Sequence, residues 1–171
     1  MSKALVIIDM LNDFILDGAP LQVKGAGKII EPIKNQIAKA KSEGYPVIYV
    51  CDSHDKNDKE FNIWPSHCVR GTFGAEIVNE LKPEPEDIII QKTRYSGFYD
   101  TNLDEILTKL GVNTLIITGL VTNICVMYTV ADAVSRDYRV IVPKDCVIGL
   151  DDYGHEIGLY QIKNVHNAEI I

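Results

Sequence analysis

The chain has 171 residues, 46% hydrophobic and 24% charged, a composition that supports a continuous core and fits one domain over residues 1–171. Lysine and arginine number 17 against 24 aspartates and glutamates, and the resulting net charge of -7 argues against nucleic acid or an anionic membrane as partner. No apolar run is long enough to span a bilayer.

At the N-terminus, Lys3 precedes the apolar run ALVII at 4–8, which stops at Asp9. That run is too short and too soon charged for a signal peptide, so a cytoplasmic location is expected. Further apolar runs follow at PVIYV (46–50), DIII (87–90), TLIIT (114–118) and YRVIV (138–142). Such runs suit strands buried on both faces, as in a parallel sheet covered by helices. Between them, Ile29, Ile30, Ile33 and Ile37 lead to Gly44, and Leu103, Ile106, Leu107 and Leu110 lead to Gly111. Both sets have helical spacing, and both glycines read as C-caps. Pro32 belongs in the first turn of its helix, where a missing N–H is harmless.

A third helix is predicted from about Asn123 to Arg136, with Val126, Val130 and Val134 on one face. The alternation predicts a three-layer, doubly wound α/β domain around a mostly parallel sheet of about six strands, with AEII at the C-terminus as a last edge strand. The one long irregular region, 52–72, has the length of a functional loop. Cys51, Cys68, Cys125 and Cys146 lack any CxxC spacing and read as reduced thiols.

Ligands of open parallel sheets bind outside the carboxyl ends of the strands. Those ends carry Asp9, then Asp52 and His54 of the DSH triplet, then Lys92, and then GLVTN leading to Cys125. In the first turn of a helix, the dipole and unpaired N–H groups favour a thiolate at Cys125. Asp9 could take the thiol proton and return it to a leaving amine, with Lys92 holding Asp9. Singly, these residues read as a small core thiol, a turn acid and a solvated lysine. Jointly, at neighbouring strand ends, they read as chemistry. Asp52, His54 and His67 of WPSHC give three N/O donors that suit zinc or another divalent metal, or equally a polar loop with two solvated histidines. Cys51 and Cys68 read as core thiols. PEPED at 83–87 and the Asp151–Asp152 pair read as turns and N-caps, and His155 is expected to face solvent.

Three segments, VIIDMLNDF at 6–14, KTRYSGFYDTNLDEIL at 92–107 and GLVTNICVMYTVADAVSRDYRVIVPKDC at 119–146, give nearly the whole chain a resemblance to the isochorismatase-like cysteine hydrolase superfamily. That superfamily includes nicotinamidases and N-carbamoylsarcosine amidases. The resemblance implies Cys125 as nucleophile, Asp9 as proton carrier and Lys92 as their partner. It also implies a cis peptide between Leu120 and Val121 that turns the Val121 and Cys125 N–H groups toward an oxyanion. Asp52, His54 and His67 match the metal ligands of the nicotinamidase branch, zinc first, and Phe14 and Trp64 match the walls of its substrate pocket. The DxH and WPxHC elements resemble nicotinamidases, whereas KTRYSGFYDTNL and GLVTNICV resemble the carbamoyl amidase and isochorismatase branches.

The implied reaction is attack of Cys125 on an amide carbonyl, loss of ammonia and hydrolysis of the thioester, without an organic cofactor. Nicotinamide or a related primary amide leads as substrate, followed by an N-carbamoyl amino acid and then isochorismate. A catalytically silent scaffold of the same fold is the rival reading. By analogy, a homo-oligomer, dimer or tetramer, is expected.

Overall fold

The computed structural model describes residues 2–171. In chain order the elements are β1 (Lys3–Ile8), α1 (Asn12–Ile15), α2 (Ile30–Glu43), β2 (Val47–Asp52), β3 (Ile88–Lys92), α3 (Leu103–Lys109), β4 (Thr114–Leu120), α4 (Met127–Val134), β5 (Arg139–Val142), β6 (Val147–Ile148), α5 (Asp152–Asn164) and β7 (Glu169–Ile170). The sheet runs β3-β2-β1-β4-β5-β7, with β6 added beside the end of β4, and every pairing is parallel. The five apolar runs become β1 to β5 and AEII supplies β7; two-residue β6 is too short to leave a periodic signal.

Side chains of β1 alternate between two cores, as the two-residue repeat of a strand requires. Ala4, Val6 and Ile8 pack with Leu103 and Leu107 of α3, Val130 of α4 and Ile162 of α5. Leu5 and Ile7 pack on the opposite face with Ile33 and Ala40 of α2. Both faces of the sheet are therefore dry along the central strands β1, β2 and β4, which is why these read as unbroken apolar runs. Helix α2 ends as expected: Gly44, at φ 74°, donates its N–H to the carbonyls of Ala40 and Lys41.

The chain winds outward from β1 through β2 to β3, then crosses back to place β4 on the other side of β1. The switch point thus lies between the carboxyl ends of β1 and β4, where a doubly wound sheet leaves its crevice. Gly119, at φ 107° and paired with Ile8, keeps that end tight, because a Cβ there would overlap the Ile8 carbonyl. The Leu120–Val121 peptide that follows is cis.

The third helix differs from its predicted span. Thr122–Val126 forms a π-helical turn, and α geometry begins only at Met127. The cause is a pair of wide bonds, from Val126 N–H to Val121 O (3.2 Å) and from Met127 N–H to Thr122 O, each five residues back rather than four. Among the described residues, no helix is long and apolar enough to cross a membrane.

Candidate active site

Asp9 directly follows β1 in the left-handed region, at φ 53°, and its side chain is fully buried. Its Oδ1 accepts the N–H of Asp52 at 2.8 Å, which ties the end of β1 to the end of β2. Lys92 closes β3 directly beside Asp52 in the register. Its ammonium lies 2.8 Å from Asp9 Oδ2, pairs with Asp52 Oδ1 and donates to Cys125 Sγ at 3.5 Å. Cys125 sits in the π-turn after β4, its carbonyl accepting from Thr129 Oγ1 at 2.7 Å, so the thiol is presented from a pinned backbone. Four strand ends therefore bring Asp9, Asp52, Lys92 and Cys125 into one buried cluster.

Cys125 also lines a narrow cleft that opens to solvent. Phe14 and Trp64 form part of its wall together with Tyr95, Val121, Ile124 and Leu150. Trp64 is held by its Nε1 donating to Tyr95 OH at 3.0 Å. No lysine or arginine lines this cleft.

Asp52, His54 and His67 converge beside the thiol: Nε2 of each imidazole lies 3.6 Å from Asp52 Oδ2. Glu60 joins them, and one donor atom from each of the four lies within 4.8 Å of the others. Sequence reasoning missed Glu60. It sits in the loop between the two histidines, on the 3-10 turn Lys59–Asn62, and only the path of that loop turns it inward. The donor set fits a divalent cation. His54 Nε2 is buried without a hydrogen-bond partner, while the Nδ1 atoms of His54 and His67 contact Asp58 Oδ2 at 3.1 Å and Pro65 O at 2.7 Å. That arrangement leaves both Nε2 lone pairs facing the carboxylates, as at metal sites where the second ring nitrogen is hydrogen-bonded.

The isochorismatase domain model matches residues 3–171. The chain belongs to the isochorismatase domain family. Among solved structures, N-carbamoylsarcosine amidase from Thermoplasma acidophilum is 39% identical with a TM-score of 0.90, covering 99% of this chain and 95% of that one. Pyrazinamidase of Pyrococcus horikoshii in complex with zinc is 32% identical with a TM-score of 0.93, covering 100% and 99%. In sequence, a protein of Arabidopsis thaliana described as a probable inactive nicotinamidase is 36% identical over 175 residues, covering 96% of this chain and 89% of its own. The coarse reading is an isochorismatase-family hydrolase with amidase neighbours.

In this isochorismatase-family site, burial and the neighbouring Asp52 raise the Asp9 carboxyl to about 6, with Lys92 opposing. Burial also pushes Asp52 up, but the Lys92 ammonium overcomes it and holds Asp52 ionised. Burial disfavours the Lys92 cation, yet Asp52, Asp9 and the thiol keep it charged. The expectation of a resting thiolate does not hold: burial raises Cys125 well above the ordinary thiol range, Lys92 counters only in part, and the two carboxylates add to the rise. Cys51, Cys68 and Cys146 are buried thiols, as read from the sequence for the first two.

Two further readings meet the structure differently. Asp151 caps α5 as expected, accepting Gly154 N–H at 2.6 Å. His155, expected at the surface, is instead half-buried, with Nδ1 2.9 Å from Thr122 Oγ1 in the nucleophile turn. Helix α5 packs against that turn, and this long-range contact left no mark on the local pattern.

Proposed function

We propose that this protein hydrolyses a small, uncharged aromatic primary amide of the nicotinamide type and releases ammonia. The observation that carries the reading is that Cys125, whose sulfur meets Lys92 beside Asp9, opens into a cleft walled by Phe14, Trp64 and Tyr95. An N-carbamoyl amino acid would bring a further carboxylate into a cleft whose wall already carries Asp52 and Glu60. The 39% identity to an N-carbamoylsarcosine amidase keeps that substrate as the second reading.

In the first step Asp9 takes the thiol proton as Sγ attacks the carbonyl carbon. The carbonyl electron pair moves onto oxygen, which the Val121 and Cys125 N–H groups receive. Asp9 then gives its proton to the nitrogen as the C–N bond breaks, and ammonia leaves a thioester on Cys125. Water attacks the thioester, passing a proton to Asp9, and the acid product departs as that proton returns to Sγ. Lys92 stays charged throughout and keeps Asp9 beside the sulfur. Asp52, His54, Glu60 and His67 would hold a divalent cation, zinc by the donor set, which when bound supplies a Lewis acid at the cleft wall. The same reading treats 1–171 as a single hydrolase domain.

Ammonia release from nicotinamide, pyrazinamide, N-carbamoylsarcosine and simple ureido acids tests this. Turnover of the first two is expected, lost in a folded Cys125→Ala variant and retained in Cys146→Ala. Turnover confined to the carbamoyl compounds would select the second reading. Silence on every compound would favour the scaffold.

A further inference from the structure

Helices and strands fix only one of the four clustered donors, Asp52 at the end of β2, while His54, Glu60 and His67 lie on the loop that follows. We infer that Asp58, clamped by Arg94, is the positioning residue that sets His54 and Glu60 in their metal-binding form, an inference that rests on the metal-bearing amidase reading above. Asp58 lies between these two donors in sequence and touches both. Its Oδ2 lies 3.1 Å from His54 Nδ1, and its Oδ1 accepts Glu60 N–H at 2.9 Å as the N-cap of the Lys59–Asn62 turn. Arg94 Nη1 reaches both oxygens, at 2.9 and 3.2 Å, and comes within 3.7 Å of Glu60 Oε2.

The consequence for His54 follows from donor and acceptor inventory. An ionised carboxylate accepts hydrogen bonds and gives none, so the proton between Asp58 and His54 belongs to the imidazole Nδ1. Nε2 then carries the lone pair, and it is the atom that lies buried without a partner, facing Asp52. Without Asp58, both tautomers become available, and one of the four donors no longer presents a fixed lone pair. His67 needs no such help, because its Nδ1 already meets the Pro65 carbonyl. The turn carrying Glu60 loses its cap in the same stroke. Arg94 acts one step further out: bound to both Asp58 oxygens, it fixes the carboxylate in the orientation that serves two donors at once. It also ties the loop to the segment that follows β3.

The test measures zinc affinity of the full chain by competition with a chromogenic chelator, for wild type, Asp58→Ala, Asp58→Asn and Arg94→Met, with Asp52→Ala as the loss-of-ligand control. Asp58→Ala should lose roughly 10- to 100-fold in affinity, the range for removal of a partner of a metal-bound histidine. Asp58→Asn, which keeps an acceptor oxygen without the charge, should recover part of that loss, and Arg94→Met should fall between wild type and Asp58→Ala. Nitrogen-15 spectra of the metal-free protein supply a readout that a merely structural role would not move. At a pH where the ring is neutral, His54 should show an unprotonated Nε2 in wild type and a mixture of tautomers in Asp58→Ala. Zinc affinity within twofold of wild type in both Asp58 variants, or an unchanged His54 tautomer, would overturn the inference. Should Asp58→Ala fail to fold, Asp58→Asn carries the same comparison. Failure of the amidase reading looks different: zinc-loaded wild type would release no ammonia while the order of affinities stands. A wild type without zinc affinity would overturn the inference and leave the amidase reading to the ammonia assay.

Discussion

At the scale of single residues, the site pairs two carboxylates of opposite disposition around one ammonium. Asp9 and Asp52 both face Lys92, yet Asp9 is raised to about 6 while Asp52 is held low, and environments that push two carboxyls apart divide their roles. Asp9 is the one able to gain and lose a proton near neutral pH. In the proposed mechanism it must be ionised to accept the thiol proton, and the fraction ionised grows as pH rises through its pKa. The amidase kcat/KM should therefore fall as pH drops below about 6. Asp9→Asn should lower kcat by roughly 10²-fold to 10⁴-fold and abolish that acid limb, because the amide cannot take a proton. A variant that keeps the limb would place the titrating group elsewhere. The raised Cys125 thiol gives this base its purpose: a thiol that rests protonated needs a partner at the moment of attack. The sequence made Asp9, Lys92 and Cys125 visible because Asp9 directly follows an apolar run, Lys92 closes another and GLVTN leads from a third to Cys125, whereas the protonation state was hidden, being set by burial and by Asp52 arriving from another strand.

At the scale of elements, the nucleophile turn is braced from outside by α5. Thr122, fully buried, meets His155 Nδ1 at 2.9 Å, and Asn123 lies against two glycines of the same helix, Gly154 and Gly158. A Cβ at Gly158 would stand 2.9 Å from Asn123 Cα and N, main-chain atoms that cannot swing away, whereas at Gly154 it would meet the Asn123 side chain at 3.0 Å. Helix propensity alone favours alanine at such positions by about 1 kcal/mol, but overpacking against fixed backbone costs about 1–3 kcal/mol. Gly158→Ala should therefore lower the thermal midpoint and reduce turnover by displacing the turn that carries Cys125, while Gly154→Ala is milder. Gly27→Ala, with nothing within 4 Å of its new Cβ, is the control. A raised midpoint for Gly158→Ala would show that the turn yields to the helix and that the brace is not needed. This contact explains what the sequence concealed. Val126, Val130 and Val134 advertise a helix well enough, but the π-turn rests on two backbone bonds five residues long, Val126 to Val121 and Met127 to Thr122, and His155 meets a partner 33 residues away. The central strands, by contrast, were legible because a sheet covered on both faces buries β1, β2 and β4 at nearly every position.

At the scale of the whole molecule, the topology assembles the site and one loop completes it. The switch between β1 and β4 places Asp9 beside the turn of Cys125, and outward winding through β2 and β3 adds Asp52 and Lys92 from strands whose order follows from the chain. None of this needs a cation. The segment between β2 and β3 is different, since Glu60 and His67 come from residues with little regular structure, and their convergence on Asp52 sets two carboxylates and two imidazoles in a dry space. His54 Nε2 has no hydrogen-bond partner there, which in the absence of a cation is a standing cost to the folded state. Unfolding scatters the donors, so an ion that binds the cluster binds the folded chain preferentially and stabilises it by mass action. Free ion at a hundredfold over Kd adds about 2.7 kcal/mol. For a chain of this length each kcal/mol moves the thermal midpoint by roughly 2–4 °C, so saturating zinc should raise it by roughly 5–11 °C over protein stripped with a chelator. The rise should vanish in Asp52→Ala, which removes the carboxylate that both imidazoles face, and persist in Cys125→Ala, which leaves all four donors in place. A chelator-insensitive midpoint in the wild type would mean that the loop folds onto β2 without an ion, leaving the four side chains a hydrogen-bonded polar cluster rather than a metal centre.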